Sequence, residues 1–343
     1  MTASQVTEEE GPESIVSMAD VENLAAIQAR IVEQLRRRIV GMDSVIEHLL
    51  TALFSRGHCL FIGVPGLAKT LLISTLAEAV GLEFNRIQFT PDLMPSDITG
   101  TDVLEEDQTT GKRTFQFVRG PVFCNLLLAD EVNRTPPKTQ AALLQAMQEG
   151  FVTASGNDHP LHPPFHVFAT QNPIEQEGTY PLPEAQLDRF MLSVQVDYPT
   201  LDQEVEIVSR TTGREPIALD AVVTREELLR SQQVVRAVIV APDVIRYAVN
   251  LASKSRPIHE SAPTAVKQYV AWGAGPRASQ YLVLGAKARA AMDGRPHASF
   301  EDVRAMADPV LSHRLSLNFQ AEAERISSME IVAQIIAQTS TKP

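Results

Sequence analysis

The chain has 343 residues, of which 44% are hydrophobic, and its formal net charge is -12 at pH 7. This length allows two domains, or one α/β domain with a helical addition, and the apolar content is enough for a proper core. The negative charge argues against a surface that grips nucleic acid mainly through its phosphates. Neither a signal peptide nor an apolar stretch of the roughly 18 residues that span a membrane is evident, so we expect a cytoplasmic protein.

The first fifty residues predict a tail followed by two helices. Residues 1–17 are polar and acidic, which is typical of a flexible tail. Apolar residues then recur at spacings of three and four over residues 21–38 and again over residues 46–53, as they do in amphipathic helices. Between these two patterns, Val40 and Gly41 interrupt the helical periodicity.

The most informative motif is GVPGLAKT at residues 63–70. An apolar run at residues 59–62 precedes it and a helical pattern at residues 71–80 follows it, so the motif joins a strand to a helix. A glycine-rich loop in this position is typical of a phosphate-binding site, because backbone N–H groups and the helix N-terminus attract anions. Taken alone, the motif is also compatible with a plain turn of glycine and proline residues.

The residue types in this loop fit the triphosphate of a nucleotide. Glycines let the backbone approach the β-phosphate, Lys69 reaches the β- and γ-phosphate oxygens, and Thr70 offers a hydroxyl to Mg²⁺. The usual pattern has glycine where this chain has Ala68, and we expect Ala68 to enter the helix with a negative φ that tolerates its methyl group. The predicted nucleotide-binding residues of the loop are Gly63, Pro65, Gly66, Leu67, Ala68, Lys69, Thr70 and Leu71.

Two structural regions follow from the strand and helix patterns. Apolar strand-like runs alternate with helical or irregular segments, which predicts a parallel sheet wrapped by helices over residues 18–200; the runs are residues 60–63, 85–89, 125–130, 166–170 and 191–196. Beyond residue 200 no strand is convincing. Helical patterns broken by prolines predict a second, helical domain over residues 201–343; they cover residues 202–211, 225–235, 243–252, 277–292 and 300–307.

Polar residues end two of the predicted strands. Asp130 and Glu131 follow an apolar run, and in a parallel sheet the carboxyl ends of the strands gather ligands at one edge. We therefore expect Asp130 to hold Mg²⁺ through its water shell and Glu131 to polarise the water that attacks the γ-phosphate. Asn172 follows another strand, where its amide can orient that water or the γ-phosphate, although an Asn-Pro turn is the alternative.

A β-hairpin is expected at residues 101–118. Apolar residues at 103–104 and 115–117 flank a polar stretch, with Gly111 near the turn.

Taken in order, these motifs resemble the AAA+ ATPases of the MoxR family. The resemblance covers the chain from about residue 18 to the end of the helical part, and it rests on residues 63–70, LLLADEVNR at 126–134, FATQNP at 168–173, EAQLDRF at 184–190 and GPR at 275–277. It implies a P-loop AAA+ core with a parallel sheet flanked by helices, plus a C-terminal all-helical lid domain. ATP and Mg²⁺ are the implied cofactors, and a self-assembled ring, usually a hexamer, is the implied oligomer.

The resemblance also assigns roles within the core. Lys69 and Thr70 match the Walker A pair, and Asp130 and Glu131 match the Walker B pair. Asn172 matches the sensor-1 residue.

The resemblance implies further roles for arginines outside the Walker A and Walker B motifs. Arg189 matches the arginine finger, which acts on the γ-phosphate of an adjacent subunit, and Arg277 matches the sensor-2 arginine of the lid. For either arginine alone, a surface salt bridge is the alternative. Arg134 could also reach an intersubunit site, and its role stays undecided. The adenine is expected near Val40 and Gly41.

Three functions follow from this resemblance. The first is an ATP-hydrolysing, chaperone-like motor that remodels, matures or activates a protein client together with a partner bearing a von Willebrand factor A domain. The hairpin resembles the helix-2 insert that MoxR proteins share with magnesium-chelatase motors and replicative helicases, so a nucleic-acid motor is the first alternative. The acidic composition argues against it. A nucleotide-gated scaffold that scarcely turns over ATP is the second alternative.

Overall fold

The computed structural model describes residues 17–106, 113–154, 156–173, 178–213 and 218–341. The acidic tail expected at residues 1–17 lies almost wholly outside these residues, as does the expected hairpin turn near Gly111. Within the described ranges, none of the helices has both the length and the apolar character that crossing a membrane requires.

Strands and helices are numbered separately in chain order. The described strands are β1 (Cys59–Ile62), β2 (Phe84–Gln88), β3 (Gly100–Glu106), β4 (Arg113–Arg119), β5 (Leu126–Asp130), β6 (Phe151–Ala154), β7 (Asn157–Pro160), β8 (His166–Gln171), β9 (Leu192–Gln195), β10 (Ile239–Val240), β11 (Val270–Trp272), β12 (His297–Ala298) and β13 (Ser316–Leu317).

The described α-helices are α1 (Met18–Arg38), α2 (Asp43–Phe54), α3 (Lys69–Ala79), α4 (Pro95–Thr99), α5 (Pro137–Glu149), α6 (Glu184–Leu187), α7 (Leu201–Thr211), α8 (Arg225–Ala237), α9 (Pro242–Lys254), α10 (Thr264–Tyr269), α11 (Pro276–Met292), α12 (Phe300–Leu311), α13 (Phe319–Glu324) and α14 (Ser328–Ala337). Two short 3-10 helices complete the described elements, at Val132–Arg134 and Ser312–Arg314.

The central sheet has five parallel strands in the order β2-β5-β8-β1-β9. Helices cover both of its faces, which explains why its strands read as continuous apolar runs. Along β5, Leu126 and Leu128 belong to one apolar cluster, whereas Leu127 and Ala129 belong to a second cluster. The predicted α/β fold with a parallel sheet is therefore confirmed, and each of its five strands lies within one or two residues of its predicted bounds.

The helical C-terminal domain packs directly on the core. Its longest helix, α11, contacts α8, α9 and α12 within the domain, and also α1 and α2 of the core. One apolar cluster consequently runs from the sheet into the C-terminal helices and includes Phe61, Met191, Leu282 and Met306. The boundary expected between residues 200 and 201 stays a prediction, because this cluster extends across it.

Several predictions for the C-terminal domain were incomplete. Short strand pairs, β10–β12 and β11–β13, are present where no strand was expected. Pro309 does not end a helix: it lies inside the last turn of α12, which runs from Phe300 to Leu311. Helices α10, α13 and α14 were also missed; each is ten residues or shorter, so its apolar periodicity spans few turns.

Two hairpins project from the core beside the sheet. Strands β3 and β4 pair antiparallel over the whole described length of both, and β6 pairs antiparallel with β7 in a hairpin that the sequence did not predict. The rings of Phe117 and His159 stack with centroids 3.9 Å apart, so the two hairpins contact each other. The histidine belongs to the Pro-rich stretch that gave no strand signal.

Candidate functional site

The glycine loop leaves β1 and enters α3 at the carboxyl edge of the sheet. Gly63 donates its N–H to the carbonyl of Gln171 at 3.2 Å, which extends the pairing of β1 with β8. A Cβ at Gly63 would lie 2.6 Å from the carbonyl oxygen of Val196, so only glycine fits there. Gly66 has a φ of +86°, a conformation that L side chains rarely adopt. Close packing and a left-handed turn thus account for these two glycines.

Ala68 departs from the expectation for this loop. It has φ 54° and ψ 19°, which is left-handed, and it precedes the helix instead of forming its first turn. The helix begins at Lys69, and the first helical hydrogen bond runs from the Leu72 N–H to the Ala68 carbonyl at 2.9 Å. The predicted negative φ was therefore wrong, because the chain reaches α3 through a left-handed turn. A methyl group in this conformation costs roughly 1–2 kcal/mol.

Lys69 lies within the loop that it is expected to serve. Its Nζ donates hydrogen bonds to the carbonyls of Gly63 at 2.8 Å and Val64 at 2.7 Å. Burial lowers the pKa of Lys69, while the nearby charges of Asp130 and Glu131 act in the opposite direction. The ammonium is thus held at the mouth of the loop by two carbonyls, which it can exchange for phosphate oxygens.

Asp130 ends β5 with both carboxylate oxygens occupied by donors. Thr170 donates its hydroxyl to Oδ1 at 2.6 Å, and Arg86 donates from Nη2 to Oδ2 at 2.7 Å and from Nε to the same oxygen at 3.1 Å. The Asp130 side chain is 12% exposed, whereas that of Arg86 is 46% exposed. The carboxylate is therefore fixed from inside the sheet by a hydroxyl and from the solvent side by a guanidinium.

Glu131 has a left-handed backbone, with φ 57° and ψ 50°. Such a conformation in a non-glycine residue stores strain and is enriched at functional sites. Its carboxylate accepts hydrogen bonds from Gln88 Nε2 at 2.8 Å and from Arg134 Nη1 at 3.1 Å. Its N–H donates to the Thr170 hydroxyl at 2.8 Å, so one threonine positions both acidic residues.

The sequence did not reveal three residues that contact the acidic pair: Arg86, Gln88 and Thr170. Their signal was present in the strand pattern, because residues two apart on a strand point to the same face. Arg86 and Gln88 alternate in this way on β2, which pairs in register with β5. Recognising them required the strand order, which the sequence did not supply.

The predicted residues of the glycine loop, together with Asp130, Glu131 and Asn172, line one cleft of about 400 Å³ at the carboxyl edge of the sheet. It holds the acidic pair, the three newly found residues and Asn172, which is buried. Thr70 and Asp130 both face this cleft, and their oxygens are the ligands that Mg²⁺ prefers, so the residues fit a magnesium ion. The cleft-lining residues are Gly63, Pro65, Gly66, Leu67, Ala68, Lys69, Thr70, Leu71, Arg86, Gln88, Asp130, Glu131, Thr170, Gln171 and Asn172.

A second, more apolar cleft of about 290 Å³ adjoins the first. Both clefts share Leu67 and Ala68 of the glycine loop. Val40 lines the second cleft, as the predicted adenine position requires, and Gly41 lies against Gln203 of α7, where a Cβ would meet the amide nitrogen at 2.7 Å. A polar cleft beside an apolar one matches the triphosphate and the base of a nucleotide.

The two predicted arginines lie outside the described lining of both clefts. Arg277 is the second residue of α11 and donates from Nη1 to Asp188 Oδ2 at 3.0 Å. Arg189 is half-buried and follows that aspartate, and among the described residues its guanidinium has no hydrogen-bond or ion-pair partner. Phe190 is fully buried, as an anchor for this segment should be. The structure thus links the two arginines through Asp188.

Arg314 is a further residue of this region that the sequence did not reveal. Its side chain is almost fully buried, and it donates to Asp188 Oδ1 at 2.8 Å, to the Asp188 carbonyl at 3.0 Å and to the Phe190 carbonyl at 2.6 Å. Burial lowers the pKa of Arg314, and Asp188 opposes that shift. Arg314 therefore attaches the segment bearing Arg189 to the C-terminal domain.

Comparison with known proteins identifies the family. Residues 58–192 match the family model described as ATPase family associated with various cellular activities (AAA), and residues 262–335 match the AAA lid domain. The chain is 43% identical over 314 residues to Chaperone MoxR1 of Mycobacterium tuberculosis, which covers 92% of this chain and 82% of that protein. The chain belongs to the MoxR family of AAA+ ATPases. Protein MoxR of Methylorubrum extorquens is 28% identical over 92% of this chain and 95% of its own length.

A solved structure agrees with this MoxR-family assignment. The crystal structure of a Cytophaga hutchinsonii protein that is named as an ATPase has a TM-score of 0.87 and 39% sequence identity to this chain. The match covers 94% of this chain and 97% of that one. The similarity therefore extends over nearly the whole chain, from the AAA+ core into the helical lid, of which residues 262–335 match the lid model.

Proposed function

We propose that this MoxR-family chain binds ATP with Mg²⁺ and hydrolyses it. The observation that carries the proposal is the first cleft, in which Lys69, Asp130 and Glu131 converge beside a second, apolar cleft. Few other ligands need a cation, two carboxylates and a glycine-rich helix N-terminus next to an apolar slot. Membership of an ATPase family supports the same activity.

The residues of the cleft divide the work. The loop N–H groups and Lys69 bind the phosphates, while Thr70 and Asp130 would hold Mg²⁺, which would neutralise phosphate charge. Glu131 accepts a proton from the attacking water, and its strained, hydrogen-bonded backbone fixes the carboxylate for that task. Asn172 orients the water or the γ-phosphate by hydrogen bonding.

Hydrolysis would be completed between copies of the chain. We assign Arg189 as the arginine finger acting on the γ-phosphate of an adjacent copy, and Arg277 as the sensor-2 arginine. Support comes from the Arg189 guanidinium, which lies away from both clefts of its own copy and is without a partner among the described residues. A ring, six-membered in this family's manner, follows from that assignment.

The work done with ATP is remodelling, maturation or activation of a protein client. One relative over most of this chain is named a chaperone, which supports a protein client over a nucleic-acid one. The partner that we propose bears a von Willebrand factor A domain. The acidic composition is consistent with a protein client, because phosphate-rich nucleic acid would be repelled.

The Glu131→Gln variant tests the ATPase. It should bind ATP with nearly unchanged affinity but lose at least about 100-fold in turnover, because the carboxylate that takes the proton is gone. Binding is measured with a fluorescent ATP analogue and turnover by phosphate release. Glu149→Gln, an exposed change at the end of α5, is the matched control and should behave as the parent protein does. Full turnover in Glu131→Gln would show that Glu131 is not the base.

The same variant tests the client and the partner. With ATP bound and uncleaved, it should retain a protein bearing a von Willebrand factor A domain in pull-down experiments. DNA-stimulated hydrolysis together with salt-dependent DNA binding would instead favour the nucleic-acid motor.

A further inference from the structure

Gln140 is a buried polar residue in the first turn of α5. It is fully buried, and within the described part of the chain it lines neither of the two clefts. Its Nε2 lies within hydrogen-bond distance of three backbone carbonyls, those of Val132 at 3.3 Å, Thr135 at 3.0 Å and Tyr180 at 3.2 Å. An amide nitrogen carries two hydrogens, so these are shared among three oxygens. The proposed function assigns this residue no role.

The orientation of the Gln140 amide is fixed by its surroundings. If its oxygen and nitrogen were exchanged, one acceptor would face three others, so the nitrogen must point to the carbonyls. The amide oxygen, Oε1, is buried and has no hydrogen-bond partner among the described residues. An acceptor buried in this way carries a free-energy penalty, which an apolar side chain of similar size would avoid. The amide is therefore explained by the three carbonyls that its nitrogen binds, and not by packing.

Two of these carbonyls belong to the turn that directly follows Glu131. Val132 is the next residue and begins the first 3-10 helix, and Thr135 follows that helix. Glu131 has a left-handed backbone with φ 57°, a conformation that persists only when the surrounding structure holds it. Before the strained residue's side chain, its N–H is bound to the Thr170 hydroxyl oxygen, and after it the Val132 carbonyl is bound to Gln140. The strained turn is therefore held at both ends.

The third carbonyl fastens this turn to a separate segment of the chain. Tyr180 lies shortly before α6, and its carbonyl accepts from Gln140 while its N–H donates to the Asn133 carbonyl at 2.7 Å. Asn133 is the middle residue of the 3-10 helix that follows Glu131. The amide and the Tyr180 backbone thus bind the same turn from two directions, which restricts its movement.

The helix that carries Gln140 is itself anchored. Thr139, in the same turn, donates its hydroxyl at 2.9 Å to the carbonyl of Leu93, which lies between β2 and α4. Leu143 and Leu144, one turn further along α5, are fully buried in the second apolar cluster. Packing of this kind locks the helix against the core, so the Gln140 amide is a firm support for the turn.

We infer that Gln140 is a positioning residue for ATP hydrolysis. The inference rests on the proposed function, in which Glu131 takes a proton from the attacking water. Gln140 does not reach the cleft; it holds the left-handed turn that aims the Glu131 carboxylate. Without the amide the turn can relax, and a displacement of about 1 Å is enough to lower a rate by about 100-fold. The glycine loop makes no hydrogen bond with this amide, so ATP binding should be spared.

Gln140→Met tests this role, because methionine has a similar length and shape but donates no hydrogen bond. ATP affinity, measured with a fluorescent analogue and Mg²⁺, should stay within about twofold of the parent value, whereas kcat should fall by about 10- to 100-fold. Gln145→Met, at an exposed position on the same helix, is the matched control and should behave as the parent does. All proteins are assayed at a temperature where denaturation curves show them folded. Weaker ATP binding with an unchanged kcat would overturn the inference.

Combining Gln140→Met with Glu131→Gln separates positioning from general structural damage. If Gln140 acts through Glu131, the double variant should turn over ATP within about twofold of Glu131→Gln alone, because the carboxylate that Gln140 positions is already absent. The residual rates are measured by phosphate release over long incubations. Damage to the fold would instead lower turnover by the same factor in both backgrounds, and that result would exclude a positioning role.

The outcomes also separate this inference from the function on which it rests. If the parent protein hydrolyses no ATP, the proposed function fails and the inference fails with it. If the parent is active, Glu131→Gln is inactive and Gln140→Met is as active as the parent, only the inference fails. Should Gln140→Met not fold, Gln140→Glu replaces it, because a buried carboxyl is neutral and keeps one donated hydrogen. Its kcat should fall less, and the same comparison with Glu131→Gln applies.

Discussion

At the scale of single residues, the site is built from conformations and pairs that the motif alone does not specify. Ala68 and Glu131 both have left-handed backbones, at 54° and 57° in φ, although neither is glycine. The two residues line the same cleft, Ala68 just before α3 and Glu131 just after β5. Strain of this kind is stored where the geometry serves binding or catalysis, and the rest of the fold must hold it in place.

The strain at Ala68 gives a prediction about stability. Ala68→Gly should raise the free energy of unfolding by about 0.5–1 kcal/mol, because relief of the left-handed methyl outweighs the extra entropy of the unfolded chain. Gly66→Ala is the matched change in the same loop. Its φ of +86° should make it lower that free energy by about 1 kcal/mol, although its Cβ would meet no other atom. Chemical denaturation measures both, and a loss of stability in Ala68→Gly would contradict the argument.

Arg86 gives a prediction about magnesium. Its guanidinium neutralises Asp130, the carboxylate that we assign to the magnesium site, so the two cations compete for the same oxygen. Arg86→Ala should lower the Mg²⁺ concentration needed for half-maximal nucleotide binding by about two- to five-fold, the range expected for a half-exposed ion pair. Titration of a fluorescent nucleotide with Mg²⁺ measures the change. Arg113→Ala, in an exposed pair with Glu106, is the control, and an increased Mg²⁺ requirement in Arg86→Ala would refute the competition.

At the scale of elements, Asp188 connects the segment after α6 to the C-terminal domain. It accepts from Arg277 on α11 and from the buried Arg314 of the second 3-10 helix. Arg314 also binds the carbonyls that end this segment, and its guanidinium lies 5.1 Å from the ring centre of Tyr281. The position of Arg189 therefore depends on the C-terminal domain, which gives that domain a way to move the proposed finger.

The prediction for this element is a large loss of stability in Asp188→Asn. Removing the charge leaves Arg314 buried without its counter-ion, which should lower the free energy of unfolding by about 2–3 kcal/mol. Asp43→Asn breaks an exposed pair with Arg36 and should cost less than about 0.5 kcal/mol. Urea denaturation compares the two variants. Equal losses would mean that the buried pair adds no more stability than a surface pair.

At the scale of the whole molecule, buried histidines link the core sheet to α8 of the C-terminal domain. His166 on β8 donates from Nδ1 to the Gly57 carbonyl at 2.9 Å, and its Nε2 contacts Gln232 on α8 at 3.1 Å. His58 accepts the Val167 N–H at Nδ1, 2.9 Å away. Burial lowers the pKa of His58 to about 3 and that of His166 to about 4, so both rings are neutral in the folded protein.

These histidines predict how stability depends on pH. Their folded pKa values lie below the unfolded value of 6.5, so below pH 6.5 the unfolded chain binds protons that the folded chain excludes. Stability from this source is complete above pH 6.5 and is lost as the pH falls toward 4. The two together should cost about 2–3 kcal/mol between pH 7.5 and pH 5.5. His58→Gln should flatten this slope in denaturation experiments, whereas exposed His297→Gln should leave it unchanged; equal slopes would exclude His58 as its source.

Assembly gives the last prediction. If Arg189 acts on a neighbour's nucleotide, turnover per copy must rise with protein concentration, because isolated copies lack the finger. Arg189→Ala should lose roughly 10³-fold or more in turnover and keep ATP binding. Mixing it with Lys69→Ala should restore part of the activity, since each copy supplies what its neighbour lacks. A rate per copy that is independent of concentration, with no rescue on mixing, would place catalysis within one copy.

The sequence by itself determined the five strands of the central sheet, many of the longer helices, and the glycine loop, Asp130, Glu131 and Asn172 of the main cleft. Short apolar runs predict buried parallel strands. The glycine loop and Asp130–Glu131 indicate their chemistry through residue types that lie close together in the sequence. Those signals are local, so they can be recognised in the sequence before the fold is known.

Only the tertiary structure decided which distant residues meet. Arg86 and Thr170 reach Asp130 because β2 and β8 flank β5, and Arg314 reaches Asp188 across 126 residues. It also decided that Ala68 turns left-handed and that α7 exposes its apolar face. Contacts of this kind depend on strand order and domain packing, which arise from the free energy of the whole chain and leave no periodic trace in the sequence.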